Sequence, residues 1–283
     1  MFHAEPSGRP DSRQTCPDNH DIEVAHSTRV RICSTLPHVL PFLFLGTRAE
    51  DAAAESEYAA MLRYSGLEPN QLIRRRLEQE PLGSIDLADW AGIILGGGPF
   101  NVSDPDESKS STQLRVEAEL SALAEQVIDA DTWFLGACYG IGTLGRLRGG
   151  EVDRTYPEPI SSVTLTLSDA AATDQLFNGL PRTFDAFVGH KEAVRRLPDK
   201  AVLLASSPSC PVQAFRLGQR VYATQFHPEL DADGLCTRVD VYRNYGYFKP
   251  AESAQLKAMA HRARVSEPAR LLSRFVALAS TGA

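Results

Sequence analysis

No stretch of this sequence is apolar for long enough to cross a membrane. The longest runs, such as Val39 to Leu45, fall far short of the roughly 20 residues that a spanning helix requires, so a soluble protein is expected. Cysteine is sparse. Cys16, Cys33, Cys138, Cys210 and Cys236 are odd in number and widely spread with no CxxC pair, which argues against a disulfide framework or a cysteine-rich zinc site. Positive charge is also in deficit. Lys plus Arg total 29 against 36 for Asp plus Glu, a formal charge of −7, so nothing predicts a general attraction to nucleic acid or acidic membrane. Small molecules and other proteins are the favoured partners. Low-complexity composition is missing too: 43% hydrophobic and 23% charged residues over a chain of 283 describe a folded protein with a sizeable core.

Met1 to about His26 is rich in Pro, Asp, Ser and His and lacks the apolar segment of a secretory signal, so it reads as a solvated arm on a cytoplasmic protein. Its His3, Cys16, His20 and His26 fit no zinc template. From Val39 onward, short apolar runs alternate with amphipathic stretches, the pattern of an α/β fold with a largely parallel sheet. Pro41–Thr47 reads as a buried strand, Glu50–Tyr64 as a helix stopping near Gly66, and Leu72–Leu77 as a second strand. Its Arg74-Arg75-Arg76 run suits a charged edge strand better than an anion site. A short helical turn is predicted over Ile85–Trp90 and a central strand over Gly92–Leu95. A helix follows over Thr112–Ala130, with Leu114, Ala118, Leu120, Leu123 and Val127 as its apolar stripe.

Thr132–Leu135 is predicted as another buried strand, followed by a helix over Tyr139–Leu147. Strand-like stretches then recur at Ser162–Leu167, Thr183–Val188, Ala201–Ser206, Val212–Leu217 and Gln219–Phe226. Their close spacing makes this region partly antiparallel. Beyond His227 three helices are predicted, Asp231–Tyr245, Ala251–Arg264 and Pro268–Ala279, the last with Ser266 as N-cap.

Three loops carry chemistry. The strand before Gly136 runs into Gly136-Ala137-Cys138-Tyr139-Gly140, the cysteine form of a nucleophile elbow, in which flanking glycines permit a sharp turn at the strand end. The helix start behind it is expected to favour thiolate and lower the thiol pKa. By itself the motif leaves a buried structural cysteine open. Val221 to Phe226 ends in His227-Pro228-Glu229, where residues two apart on extended backbone share a side, so a base and an orienting carboxylate can converge. A surface histidine before a turn proline fits the segment equally well. The third loop, Gly96-Gly97-Gly98-Pro99, ends a strand in unobstructed N–H groups that can hold an oxyanion. A phosphate loop is disfavoured because GKS or GKT is missing, and the serine and aspartate of an SGGxDS loop are missing as well.

In this order, glycine loop, cysteine elbow and His-Pro-Glu resemble the class I glutamine amidotransferase family, in particular the glutaminase domain of GMP synthetase. The resemblance covers about Pro41 to Glu229. It implies a flavodoxin-like α/β fold with helices on both faces of the sheet. The corresponding division is an arm over 1–38, an amidotransferase domain over 39–230 and a C-terminal helical extension over 231–283. It implies Cys138 as nucleophile, His227 as base, Glu229 as its partner, and Gly98 and Tyr139 as oxyanion donors. Gly97, Gly189 and His190 would line the substrate pocket. The implied reaction attacks the amide of glutamine, releases ammonia and hydrolyses a γ-glutamyl thioester, with no metal or organic cofactor. The possible partner it implies is a separate synthetase subunit.

Two positions depart from the family. Gly189-His190-Lys191-Glu192 stands where relatives resembling GMP synthetase carry Ser-His-Gly-Asp, and Gly142 stands where many members have a glutamine that contacts substrate. These departures keep a γ-glutamyl peptide or amide open as donor, and a non-catalytic binding protein is the third reading. The C-terminal aromatics, including Tyr242 and Tyr247, are expected to pack or to narrow a pocket mouth.

Overall fold

The structure, a computed structural model, describes residues 40–281, so the predicted arm over 1–38 lies outside the described residues. In chain order the strands are β1 (Phe42–Gly46), β2 (Leu72–Arg76), β3 (Gly92–Leu95), β4 (Phe134–Ala137), β5 (Glu151–Asp153), β6 (Glu158–Leu167), β7 (Thr183–His190), β8 (Ala193–Arg196), β9 (Val202–Ser206), β10 (Ala214–Leu217) and β11 (Val221–Thr224). The helices are α1 (Asp51–Ser65), α2 (Ser111–Ala130), α3 (Tyr139–Gly145), α4 (Ala232–Val241), α5 (Ser253–Arg262) and α6 (Glu267–Thr281).

Nine strands form one sheet in the order β2-β1-β3-β4-β11-β10-β9-β6-β7. The pairings from β2 to β11 are parallel, and those from β11 to β7 are antiparallel. The fold is therefore α/β, with a mostly parallel core and an antiparallel flank. Alternation along β1 divides the core into two layers: Phe42 and Phe44 join Met61, Leu271, Leu272 and Phe275 on one side, while Leu43 and Leu45 join Val116, Leu120, Phe134 and Ile141 on the other. Helices α1 and α6 cover the first face, and α2 and α3 the second.

Strand β2 is the sheet edge, and its arginines are spent locally. Arg74 pairs with Glu55, Arg75 donates to the Leu82 carbonyl, and Arg76 pairs with Asp51 and Glu78. In α2 the buried stripe is Val116, Leu120, Leu123 and Val127, while Leu114 and Ala118 are exposed. The predicted stripe was out of phase at its start, because stepping back four residues from Leu120 reaches Val116. Ser110 caps that helix by accepting the Gln113 N–H at 3.1 Å. Ser266 does not cap α6 in this way; its hydroxyl donates to the Glu267 carboxylate.

The predicted helix over Asp231–Tyr245 stops at Val241, and turns follow. The small antiparallel pair β5/β8 was not anticipated. Phe275 is fully buried against Phe42 and Trp133. Phe275→Ala is predicted to cost about 3–5 kcal/mol, read as a lower denaturant midpoint with an unchanged slope. A shift under 1 kcal/mol would contradict the placement of α6.

Candidate active site

Strand β4 ends at Ala137, and the chain reverses into α3 through Cys138, whose backbone is at φ 52°, ψ −92°. A positive φ at a non-glycine residue stores strain and is held only where the surroundings fix it. Two glycines do that here. A Cβ on Gly136 would stand 2.9 Å from the Gly140 carbonyl carbon, and one on Gly140 would stand 3.3 Å from the Leu95 oxygen. The Cys138 N–H donates to the Thr224 carbonyl at 2.7 Å, which ties the elbow to the end of β11.

Three residues past Thr224, His227 turns toward the same rim. Cys138, His227, Gly98, Arg48, Arg238, Tyr242 and Tyr247 line one cavity of about 50 Å³. His227 Nδ1 lies 2.9 Å from Glu229 Oε1. Because a carboxylate only accepts, Nδ1 carries the proton and Nε2 keeps its lone pair.

The surrounding charges were not anticipated from sequence. Arg238 on α4 donates from Nη2 to Glu229 Oε1 at 2.6 Å and to Glu57 Oε1 at 3.3 Å. Arg48 donates to the same Glu57 oxygen at 3.0 Å and to the Tyr242 hydroxyl at 3.2 Å. All four charged side chains are buried. Burial pulls His227 down to about 4, helped by Arg238 and opposed by Glu229. Burial alone would raise Glu229, but His227 and Arg238 hold it below the usual carboxylate range. For Cys138, desolvation pushes the thiol up to about 12 against the pull of Arg48 and Arg238. The predicted lowering of this thiol is therefore corrected: loss of solvation outweighs the seven-residue helix behind it.

The glycine loop supplies the opposite wall. A Cβ on Gly98 would collide with Thr47 Oγ1, and one on Gly97 would collide with His227 Cε1. Glycine at both places lets peptide backbone approach the cleft. Among the described residues, neither the Gly98 nor the Tyr139 N–H finds a backbone acceptor. Both residues also line a smaller adjoining cleft with Cys138, His190, Lys191, Glu192 and Tyr247.

His190 reaches this cleft with both ring nitrogens engaged. Nδ1 is 2.9 Å from the Glu192 carbonyl and Nε2 is 2.8 Å from Glu158 Oε2. Glu158 also accepts from Ser207, Ser209 and Gln213. His190 thus anchors its loop. Gly189 lines the Cys138 cavity directly, and Gly97 borders the imidazole. At Gly142, a Cβ would stand 3.1 Å from Glu192 Oε1 and 3.3 Å from Val102 Cγ2. The room for a longer side chain is taken by Glu192, which accepts from the Val102 and Ser103 N–H groups at 2.9 and 2.8 Å.

A sequence-family model described as glutamine amidotransferase class-I matches residues 60–234. The chain belongs to the class I glutamine amidotransferase family. The relatives of this amidotransferase domain include the glutamine-hydrolyzing GMP synthases of Neisseria meningitidis, 28% identical over 58% of this chain and 31% of that protein, and of Staphylococcus saprophyticus, 30% identical over 64% and 34%. The domain thus spans about a third of those relatives. In fold it is similar to a glutamine amidotransferase from Thermotoga maritima, with TM-score 0.68, 18% identity and coverage of 87% of this chain and 100% of that one. A glutamine amidotransferase from Methylobacillus flagellatus gives TM-score 0.62 at 17% identity, covering 84% and 94%.

Two clusters of this domain have metal-ligand chemistry, Glu57 with His227 and Glu229, and Glu158 with His190 and Cys210, their ligand atoms within 4.8 Å of one another. In the first, Arg48 and Arg238 already neutralise the carboxylates. In the second, Glu158 is filled by its histidine, serine and glutamine donors. Neither donor set suits a further cation. Among the described residues no helix is long and apolar enough to cross a membrane.

Two measurements test this geometry. Gly97→Ala forces a methyl against the imidazole and is predicted to destabilise by about 1–3 kcal/mol; an unchanged denaturation midpoint would contradict the close approach. Alkylation of Cys138 by iodoacetamide, followed by peptide mass, is predicted to rise about tenfold per pH unit to about pH 10, since thiolate accumulates only toward its raised pKa. A plateau near neutrality would show that the thiol is not desolvated.

Proposed function

We propose that this domain cleaves the side-chain amide of a glutamine-type donor, with Cys138 as nucleophile, His227 as general base and acid, and Glu229 as its orienting carboxylate. The observation that carries this reading is that Cys138 and Gly98 line two adjoining clefts, one shared with a neutral imidazole whose Nε2 is free and the other with the unengaged Tyr139 N–H.

The resting pair is thiol and imidazole, because burial disfavours charge on both. As Cys138 Sγ attacks the amide carbon, its proton passes to His227 Nε2, and the positive charge formed there is balanced by Glu229. The carbonyl oxygen becomes an oxyanion that accepts from Gly98 and Tyr139, each such donor being worth about 3–4 kcal/mol in a preorganised site. Collapse breaks the C–N bond, and His227 returns the proton to the departing amine, which leaves as ammonia. Water, deprotonated by His227, then attacks the thioester, releasing the acid and restoring the thiol. Thiol and imidazole suffice for this acyl transfer.

Arg238 acts as a positioning residue, since its contact with Glu229 fixes the carboxylate that fixes the imidazole. Any synthase step of the kind the GMP synthase relatives are named for is assigned to a separate synthetase partner. The proposed setting is cytoplasmic, where reducing conditions keep Cys138 a thiol.

Cys138→Ala is predicted to lower ammonia release from glutamine by at least about 10³-fold, and Glu229→Gln by about 10²–10⁴-fold through the wrong imidazole tautomer. Enzyme-coupled detection of ammonia and intact-protein mass after a glutamine-mimicking electrophile check this. Equal rates for the wild type and Cys138→Ala would remove the nucleophile assignment.

A further inference from the structure

Antiparallel pairing sets Glu158, at the start of β6, opposite His190, at the end of β7, so the two side chains meet across the strands. Both nitrogens of the ring face oxygen. Nδ1 lies 2.9 Å from the Glu192 carbonyl and Nε2 lies 2.8 Å from Glu158 Oε2. A carbonyl oxygen can only accept, so the state of the ring is decided by what Glu158 is.

Glu158 is surrounded by donors. Its Oε1 accepts from the Ser207 and Ser209 hydroxyls, and its Oε2 accepts from the Gln213 amide at 2.6 Å. Burial alone would raise this carboxyl, but His190, Ser209 and Gln213 outweigh it and hold the group below the usual carboxylate range. Glu158 is therefore a carboxylate and only accepts. A neutral imidazole between two acceptors would set a ring lone pair against an oxygen lone pair, whereas the doubly protonated ring satisfies both contacts.

The surroundings suit that charge. Each side chain of the pair is 2% exposed, and the donors on both carboxylate oxygens offset the lost hydration that makes a bare buried ion pair costly. Of the other titratable groups nearby, Cys210 has its thiol pushed up to about 12 by burial and stays neutral. The Glu192 carboxylate is engaged by the Val102 and Ser103 N–H groups at 2.9 and 2.8 Å. Lys191 lies over the Tyr247 ring, and Arg154 pairs with Asp104.

Glu192 carries the effect to the cleft. Its carbonyl accepts from His190, and its carboxylate holds the stretch just past the glycine loop. Gly98, Cys138, Tyr139, Gly189 and Glu192 line the same narrow cleft. We propose that His190 is an imidazolium, and that its ion pair with Glu158 positions the Gly189–Glu192 loop against Cys138. It is a positioning residue that supplies geometry and no proton to the reaction. The positioning role rests on the reading of Cys138 as the amide-cleaving nucleophile; the charge state does not.

Histidine-ring nitrogen NMR of the wild type at neutral pH tests the charge state without turnover. Both His190 nitrogens are expected to carry a hydrogen. Their signals are identified by their loss in His190→Gln, or by through-bond ring correlations in the wild type if that variant does not fold. A single ring proton would overturn the proposal. In Glu158→Gln the new amide can donate to Nε2, so the ring is expected to keep one proton, on Nδ1; two protons there would show that Glu158 does not hold the charge, and would also overturn it.

Glu158→Gln is expected to lower kcat/KM for ammonia release from L-glutamine by about 10–100-fold, as a displacement of about 1 Å near reacting atoms does. The double variant Glu158→Gln/His190→Gln is expected to lie within about threefold of the worse single variant, because both changes remove one pair. Losses that multiply, or an unchanged kcat/KM in Glu158→Gln, would overturn the positioning role. If the wild type releases no ammonia and the electrophile leaves Cys138 unmodified, the amidase reading fails separately. Positioning is then read from alkylation of Cys138 by iodoacetamide, expected to quicken at least about threefold in Glu158→Gln as the loop loosens beside the thiol; an unchanged rate would overturn it.

Discussion

The hydrogen bond from the Cys138 N–H to the Thr224 carbonyl extends the parallel pairing of β4 and β11 by one residue beyond Ala137. Cys138 and His227, the side chains proposed to react, come from elements that are neighbours in space and far apart in sequence, and this pairing sets their relation. A slip of one residue would turn alternate side chains to the opposite face and separate the elbow from His227. The Gly136–Gly140 approach then lets α3 pack down on the strand end, and the strained Cys138 backbone is the consequence. Strand, elbow and histidine form one mechanical unit.

Electrostatics refine what the pairing positions. Two buried guanidiniums and two buried carboxylates surround the imidazole, and breaking such a network leaves an unpaired charge in a poorly solvated place. Its arrangement is directional: Arg48 holds Glu57, Glu57 and Glu229 share Arg238, and Glu229 holds the ring. The net result is neutral imidazole beside neutral thiol, rather than a preformed ion pair. In the proposed reaction charge develops only as the substrate is attacked, next to donors already in place, which is where preorganisation has its largest effect.

Much of this was legible because it is local. Strands at Phe42–Gly46 and Gly92–Leu95 are short apolar runs bounded by glycine or charge, and the elbow and His-Pro-Glu are contiguous motifs whose placement at strand ends follows from the pattern of β4 and β11. The β5/β8 pair escaped notice because three- and four-residue strands carry too few residues to show a period. Arg48, Glu57 and Arg238 escaped because their partners are distant. A signal existed for Glu57, which shares a buried helical stripe with Ala53 and Met61, and for Arg238, beside buried Leu235 and Val239 on α4. A charge in an apolar stripe implies an unseen partner. The raised thiol also had no local sign, since desolvation depends on what covers the cleft, here Tyr242 and Tyr247 from beyond α4.

The central claim is that thiol, imidazole and peptide N–H donors act on one reacting carbon. A crystal structure of the protein trapped at Cys138 by a glutamine-mimicking electrophile tests it most directly. The account predicts an adduct on Cys138 whose oxygen accepts from the Gly98 and Tyr139 N–H groups, with His227 Nε2 facing the position of the departing group. An adduct whose oxygen points away from both amides, with the imidazole beyond hydrogen-bond reach of the reacting carbon's substituents, would contradict it.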